Sequence, residues 1–305
     1  MAPIWKADIE ITQEDAARWI EEQFGALAPA RLEPLGVGWD NVAFLVNGQF
    51  VFRFPRRQVA AALIARESRW LPRLAPHVPL PIPWPRFVGQ PTPDRPYPFS
   101  GYALIPGKTA CRLAWTEAER AQTAPALARF LSALHRIPVT AETYATAPHD
   151  DIRRADLPFR APKIRERLQA IAPYLPDIHL SALLDLLDRL AVTPPHAERP
   201  CWVHGDLYAR HLLVADDHRL CGVIDWGDVH LGDPALDISL AFSFLPPAAR
   251  PLFREAYGGI DDAVWDRARF RALHYGATLS AYGLDVGDEE IRAIGEYALR
   301  AVIEP

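Results

Sequence analysis

The chain has 305 residues, a net charge of −5 and a composition that is 50% apolar. That length allows one large domain or two modest ones with a sizeable core, and the mildly negative charge argues against nucleic acid as the main partner. No apolar run approaches the roughly 20 residues that span a bilayer. The opening MAPIWKADIEITQED is too acidic and polar for a signal peptide. Three distant cysteines, Cys111, Cys201 and Cys221, match neither a disulfide framework nor a zinc site. A soluble cytoplasmic protein with no nucleic-acid or membrane partner is expected. The 30 prolines cluster in stretches such as HVPLPIPWP and read as stiff connectors.

In chain order, Thr12 to Asp15 reads as a helix start, with Thr12 as cap and acids in the first turn. Ala16, Ile20 and Phe24 then give one apolar face. A strand-like run at 31–35 leads into the turn GVGWDN, followed by strands at 42–46 and 50–54 joined by the hairpin signal Asn47-Gly48. Residues 59–74 have helical spacing, and RFVG and FSGYALI are two more short strands. Beyond Pro106-Gly107 the pattern is helical, at 116–136, 162–173, 180–191, 234–245, 261–282 and 288–302. An island at 201–225 interrupts it, where CWVH, HLLV and LCGVID alternate with turns. The shift near residue 106 predicts a two-lobe plan, whose boundary is a natural ligand cleft.

The island carries the chemistry. Phosphoryl transfer needs a base for the acceptor hydroxyl, one or two Mg²⁺ ions, and a cation and glycine turn to place the phosphates. In HGDLYARHLL, from His204 to Leu213, Asp206 follows a strand and suits the base. Asp225 ends LCGVID and begins DWGD, a carboxylate at a strand end ahead of a glycine turn, which suits a Mg²⁺ ligand. Two ordinary loop aspartates would not account for the strands around them.

HGDxxxxH followed by IDWGD resembles the aminoglycoside phosphotransferase family, small-molecule kinases related to protein kinases, and the likeness runs through nearly the whole chain. It implies an α+β, protein-kinase-like two-lobe fold: an N-terminal lobe over 1–106, an antiparallel sheet with one main helix, and a mainly helical C-terminal lobe over 107–305 with the catalytic loop and acceptor site. Residues 36–46 resemble the nucleotide loop, with Gly36, Gly38 and Asn41. Arg53 sits where the family places a lysine or arginine on the phosphates, and Glu67 matches its ion-pair partner. YALIPG, 102–107, resembles the hinge, where Ala103 C=O and Ile105 N–H would hold the base. The segment 128–138 resembles the helix before the catalytic region. The resemblance implies transfer of the γ-phosphoryl of ATP or GTP, with Mg²⁺ on His211 and Asp225, to a hydroxyl of a small molecule. An antibiotic, aminoglycoside or macrolide, is the leading acceptor. Choline, a sugar or homoserine, or a non-catalytic regulator that only binds nucleotide, are the alternatives. A monomer is the default expectation.

His211 stands where asparagine is usual, and Mg²⁺ prefers oxygen. The chain's two asparagines, Asn41 and Asn47, both precede residue 106 and cannot replace it. The same histidine is similar to that of the aminoglycoside 2''- and macrolide phosphotransferase branches; a purely structural histidine is the other reading. A protonated ligand would repel the metal, so activity is expected to fall below the ordinary histidine pKa of ~6.5. Arg53, beside Arg56 and Arg57, could also be a solvated strand arginine, and Glu67 an ordinary helix glutamate.

His204 reads as a residue that orients the loop, Asp233 and Asp237 as caps and braces of a helix behind the site, and His135 as core. The GYALIPGKT stretch has five residues between its glycines where a phosphate-binding P-loop has four, and is rejected as one. For the acceptor, the resemblance implies that 238–254 forms part of the wall. It has no acid and two arginines, which suits a weakly charged, apolar molecule. Asp150, Asp151, Asp156, Asp285, Asp288, Glu289 and Glu290 could compensate, although the last three also make a good helix start. Phe242, Phe244, Trp265, Tyr275 and Tyr282 could line a pocket but at helical spacing read as core.

Overall fold

The computed structural model describes residues 7–38, 40–196 and 199–304. Trp39, in the GVGWDN turn, lies outside the described residues. The chain divides into two compact units, the first comprising 1–76, 81–106 and 224–228, the second 77–80, 107–223 and 229–305.

In the first unit, helix α1 (Gln13–Gln23) starts at Thr12, whose Oγ1 accepts from Asp15 N–H at 3.0 Å. Strands β1 (Leu32–Val37), β2 (Asn41–Val46), β3 (Phe50–Pro55), β4 (Phe87–Gly89) and β5 (Phe99–Ala103) form one antiparallel sheet in the order β1-β2-β3-β5-β4. Asn47 and Gly48 turn the β2–β3 hairpin with φ of 52° and 65°, the left-handed pair that a tight hairpin demands. Ala16, Trp19 and Ile20 of α1 pack on Phe44, Phe52, Phe54 and Phe99 of the sheet. Helix α2 (Gln58–Leu74) packs against β3 and β5.

The second unit is mainly helical. Its elements are β6 (Lys108–Thr109), α3 (Glu117–Gln122), α4 (Ala124–His135), α5 (Ala141–Thr146), α6 (Leu157–Ile171), α7 (Leu180–Leu190), β7 (Cys201–Val203), β8 (Leu212–Val214), β9 (Leu220–Val223), β10 (His230–Gly232), α8 (Ala235–Ile238), α9 (Leu240–Ser243), α10 (Arg250–Tyr257), α11 (Asp262–Val286) and α12 (Glu289–Ala301). The island folds as two small sheets, β6-β8-β9 and β10-β7. Helix α11 packs on α12, α6 and α8, and much of its length is buried.

Several helices differ from expectation for local reasons. The run 116–136 breaks at Thr123, because Pro125 has no N–H and fits only the first turn of a new helix. Helix α6 begins at Leu157, earlier than 162, because Asp156 caps it by accepting from Phe159 N–H at 2.9 Å. The run 234–245 divides at Ser239, whose hydroxyl donates to Leu236 C=O at 2.7 Å. Among the described residues no helix is long and apolar enough to cross a membrane.

Candidate active site

The catalytic-loop motif folds as a tight turn after β7. His204 is fully buried, and its N–H donates to Asp237 Oδ2 at 2.7 Å. The next N–H, of Gly205, donates to Asp237 Oδ1 at 3.0 Å. Gly205 has φ 83°, a conformation that favours glycine, and this lets two successive N–H groups reach one carboxylate. Asp206 then projects its side chain. Its Oδ1 accepts from the Tyr275 hydroxyl at 2.7 Å, and among the described residues no group hydrogen-bonds Oδ2. Burial pushes the Tyr275 phenol well above its ordinary range, so it remains a neutral donor. His204 Nδ1 accepts a long 3.4 Å bond from Asp206 N–H, in keeping with an orienting role.

His211 is buried at 5% exposure, and its Nδ1 lies 2.7 Å from the Asp206 carbonyl. A carbonyl can only accept, so Nδ1 carries the hydrogen and the neutral ring has its lone pair on Nε2. A histidine that donates through one nitrogen to a backbone carbonyl is oriented as metal-bound histidines are.

Asp237 holds this turn from behind. It is 0% exposed and also accepts from His135 Nε2 at 3.2 Å, while His135 Nδ1 takes the Tyr257 hydroxyl at 2.8 Å. Burial opposes the Asp237 charge, yet the His135 hydrogen bond and the Gly205 N–H together hold its carboxyl below the usual range. Asp237 therefore braces the 204–206 turn rather than capping its own helix. Asp233 does act as a brace: Oδ1 accepts from Ala235 N–H at 2.9 Å and Oδ2 from Arg267 Nε at 2.6 Å.

In the first unit Arg53, Glu67 and Asp225 come together. Arg53 Nη1 lies 2.9 and 3.0 Å from the two Glu67 oxygens, and Nη2 lies 3.2 Å from Asp225 Oδ1. The Arg53 and Glu67 side chains are 14% and 2% exposed, whereas Asp225 is 50% exposed. Burial pushes the Glu67 carboxyl up against the pull of Arg53. Burial also works against the Arg53 charge, but Glu67 and Asp225 outweigh it and hold the guanidinium above its ordinary range. Asp225 has φ 65°, a left-handed conformation that aspartate tolerates better than most residues and that recurs at functional turns. Its turn is packed on α2, where Arg66 Nη1 donates to Gly227 C=O at 3.3 Å.

The remaining candidates of this unit lie on the sheet. Gly36 is in β1 at a break in register, and Gly38 N–H donates to Asn41 C=O at 2.8 Å. A Cβ at Gly36 would meet nothing within 4 Å, and one at Gly38 only the Asn41 carbonyl at 3.6 Å. Internal packing therefore does not require these glycines; the open space suits close approach of a ligand. The buried Asn41 Oδ1 has no hydrogen-bond partner among the described residues. Ala103 ends β5 opposite Phe50, and Leu104 N–H donates to Gln49 C=O at 2.8 Å.

Asp225 offers a half-exposed carboxylate, an oxygen donor of the type that Mg²⁺ prefers. Among the described residues no three His, Cys, Asp or Glu gather as a metal site.

The expected acceptor wall is different. Residues 238–245 are buried throughout, so their lack of acids reflects core packing. Arg250 is buried as well and donates to the carbonyls of Ala241, Ala301 and Glu304. Phe242 and Phe244 are core, with Phe242 against Trp265 at 4.6 Å between ring centroids. The compensating acids are mostly engaged: Asp156 and Asp288 cap α6 and α12, Arg210 pairs with Asp288 and Glu290, and Glu289 pairs with Arg292. Tyr275 is the residue whose role sequence reading missed. At helical spacing nothing separated it from core aromatics.

The family model of the phosphotransferase enzyme family, APH, matches residues 31–273. The chain belongs to this family. It is 32% identical over 155 residues to an aminoglycoside 3'-phosphotransferase of Streptomyces ribosidificus, covering 50% of this chain and 56% of that protein. The match thus spans little more than half the length of that curated relative. Among solved structures, the GDP and kanamycin complex of APH(2")-IIia aligns over 94% of this chain and 97% of that one, at 25% identity and a TM-score of 0.67. A macrolide 2'-phosphotransferase type I shares the fold, with a TM-score of 0.61 over 95% of this chain and 98% of that one at 22% identity. The chain has the protein-kinase-like fold of the family.

Proposed function

We propose that this protein transfers the γ-phosphoryl group of ATP or GTP to a hydroxyl of a small molecule. The observation that carries the reading is Asp206, held by Tyr275 through Oδ1 with Oδ2 left for the acceptor. The acceptor O–H gives its proton to Oδ2, the acceptor oxygen bonds the γ-phosphorus, and the bond from that phosphorus to the β–γ bridging oxygen breaks. The nucleoside diphosphate leaves with the electron pair.

Gly36, Gly38 and Asn41 are assigned to the nucleotide's phosphates, with Arg53 gripping them by its guanidinium and Glu67 fixing Arg53. Ala103 and Ile105 are assigned to the base through their backbone. Asp225 and His211 are the residues assigned to Mg²⁺, which would supply charge that offsets that of the transferring group. Kanamycin and macrolides appear with the neighbours, so drugs belong in the acceptor panel. The engaged acids of the second unit leave little to receive a polycation, and this favours a metabolite acceptor as the second reading.

The test is mass spectrometry of transfer. The protein is incubated with Mg²⁺, ATP or GTP, and a panel of aminoglycosides, macrolides, choline, sugars and hydroxy acids. A gain of one phosphoryl group on an acceptor supports the reading. Nucleotide binding with no transfer to any class rejects it in favour of a regulator.

A further inference from the structure

Beside Asp206 lies a group of cations that the proposed mechanism does not use. Arg160, Lys163 and Arg167 recur at spacings of three and four on α6, which puts them on one face. Arg271 stands on α11, which packs on α6; Arg167 Nη1 donates to Thr278 Oγ1 of α11 at 2.7 Å. Among the described residues none of these four cations pairs with a carboxylate. Arg160 donates to the carbonyls of Arg153 and Ile152, and Lys163 lies over the Phe159 ring, 3.9 Å from its centroid. Asp150, the carboxylate whose charge Arg160 feels, is occupied by Arg154 and Ala155 N–H. By contrast Arg165, also on α6, meets Asp188, and Arg210 meets two acids.

Arg271 and His274 are 6% and 8% exposed, and buried Arg271 Nε and His274 Nε2 have no hydrogen-bond partner among the described residues. His274 Nδ1 accepts from Arg271 Nη1 at 3.0 Å, so Nε2 carries the ring hydrogen. Burial, reinforced by Arg271, Arg160, Arg167 and Lys163, holds His274 well below the ordinary histidine range, and the ring stays neutral. The cluster thus carries positive charge with no paired carboxylate among the described residues, and it holds two buried N–H groups without an acceptor. Water could satisfy an orphan N–H but leaves the mutual repulsion in place. The cluster also adjoins the reacting carboxylate. Arg271 Nη2 reaches Gly205 C=O at 3.4 Å, and its guanidinium lies 4.2 Å from the centroid of the Tyr275 ring, whose hydroxyl holds Asp206.

We propose that this cluster seats an anionic group, carboxylate or phosphate, of the acceptor whose hydroxyl meets Asp206, so that the substrate class is hydroxy acids or phosphorylated alcohols rather than polycations. The assignment rests on the phosphotransfer reading of Asp206. Anions bound between guanidinium groups gain charge-assisted bonds on several sides at once.

The test uses the full chain with saturating ADP and then GDP, so that the nucleotide's own phosphates are accounted for. Inorganic phosphate, D-gluconate, glucose and kanamycin are titrated in turn. Thermal melting and the ring signals of His274 in histidine-labelled NMR are followed. Phosphate or gluconate is expected to raise the melting temperature and shift His274, with glucose and kanamycin silent. The stronger of the two anions identifies the group. In Arg160→Gln/Arg167→Gln the anion's apparent affinity falls at least about tenfold. Lys163→Glu, at an exposed position that no core contact depends on, weakens it in the same direction. Silence of both anions at His274, unchanged affinity in both variants, or a response to kanamycin alone overturns the proposal. Anion binding without phosphate transfer to any acceptor of the panel keeps the site and rejects the phosphotransfer reading. Transfer to a neutral sugar with anions silent does the reverse.

Discussion

Asp237→Asn tests the brace beneath the catalytic loop. The carboxylate is 0% exposed and takes N–H groups from His204, Gly205 and His135 at 2.7, 3.0 and 3.2 Å. Asparagine keeps the shape but turns one acceptor oxygen into a donor, so at least one buried N–H loses its partner. Leaving such a group unsatisfied next to a lost charge costs about 2 to 4 kcal/mol. For a unit of this size that corresponds to a fall of about 5 to 15 °C in Tm. The pH dependence has a definite sign. The folded carboxyl is held below its ordinary value, so its contribution is complete above the unfolded pKa, about 3.9, and is lost as pH falls through the folded pKa. The gap between wild type and variant is therefore widest near neutrality and narrows below about pH 4. Thermal melts followed by circular dichroism from pH 3 to 8 measure it. A variant within about 0.5 kcal/mol of wild type at pH 7, the scatter of neutral surface changes, would refute the brace.

Three further outcomes follow from the same geometry. Tyr275→Phe removes the hydroxyl on Asp206 and is expected to lower kcat by roughly 10- to 100-fold, the worth of a bond to a charged acceptor, with nucleotide KM unchanged; a KM effect alone would contradict it. Glu67→Gln weakens the buried partner of Arg53 and is expected to raise nucleotide KM and to destabilise by up to about 3 to 5 kcal/mol, checked by steady-state kinetics and urea unfolding. His211→Ala is expected to raise the Mg²⁺ concentration needed for half-maximal rate, whereas His211→Asn, which restores an oxygen ligand, lowers it; equal Mg²⁺ curves in all three proteins would remove His211 from the metal.

The strands and hairpin of the first unit were legible because alternation and Asn47-Gly48 are local signals, and the register follows from them. Arg53 and Glu67 were legible as a pair only through resemblance, since 14 residues of chain separate them. Helix ends were harder: Pro125 and Asp156 set them through single groups that periodicity does not register. Two larger errors share a cause. By resemblance the 238–254 segment forms a wall, but the fold places its first half in the core. Tyr275, Arg271 and His274 sit on the long helix α11, whose burial all round erases the amphipathic signal that would distinguish a site face. Their contacts with the 204–206 loop and with α6 are long-range and leave no motif.

The most direct measurement of the central claim is single-turnover transfer with protein in excess over γ-labelled nucleotide, using an acceptor found in the panel. Wild type and Asp206→Asn are compared, with nucleotide affinity measured separately. If Asp206 is the base, the variant binds nucleotide as wild type does and moves the label to the acceptor hydroxyl about 10² to 10⁴ times more slowly. Transfer by the variant at the wild-type rate would contradict the account, and the proton acceptor would have to be sought elsewhere.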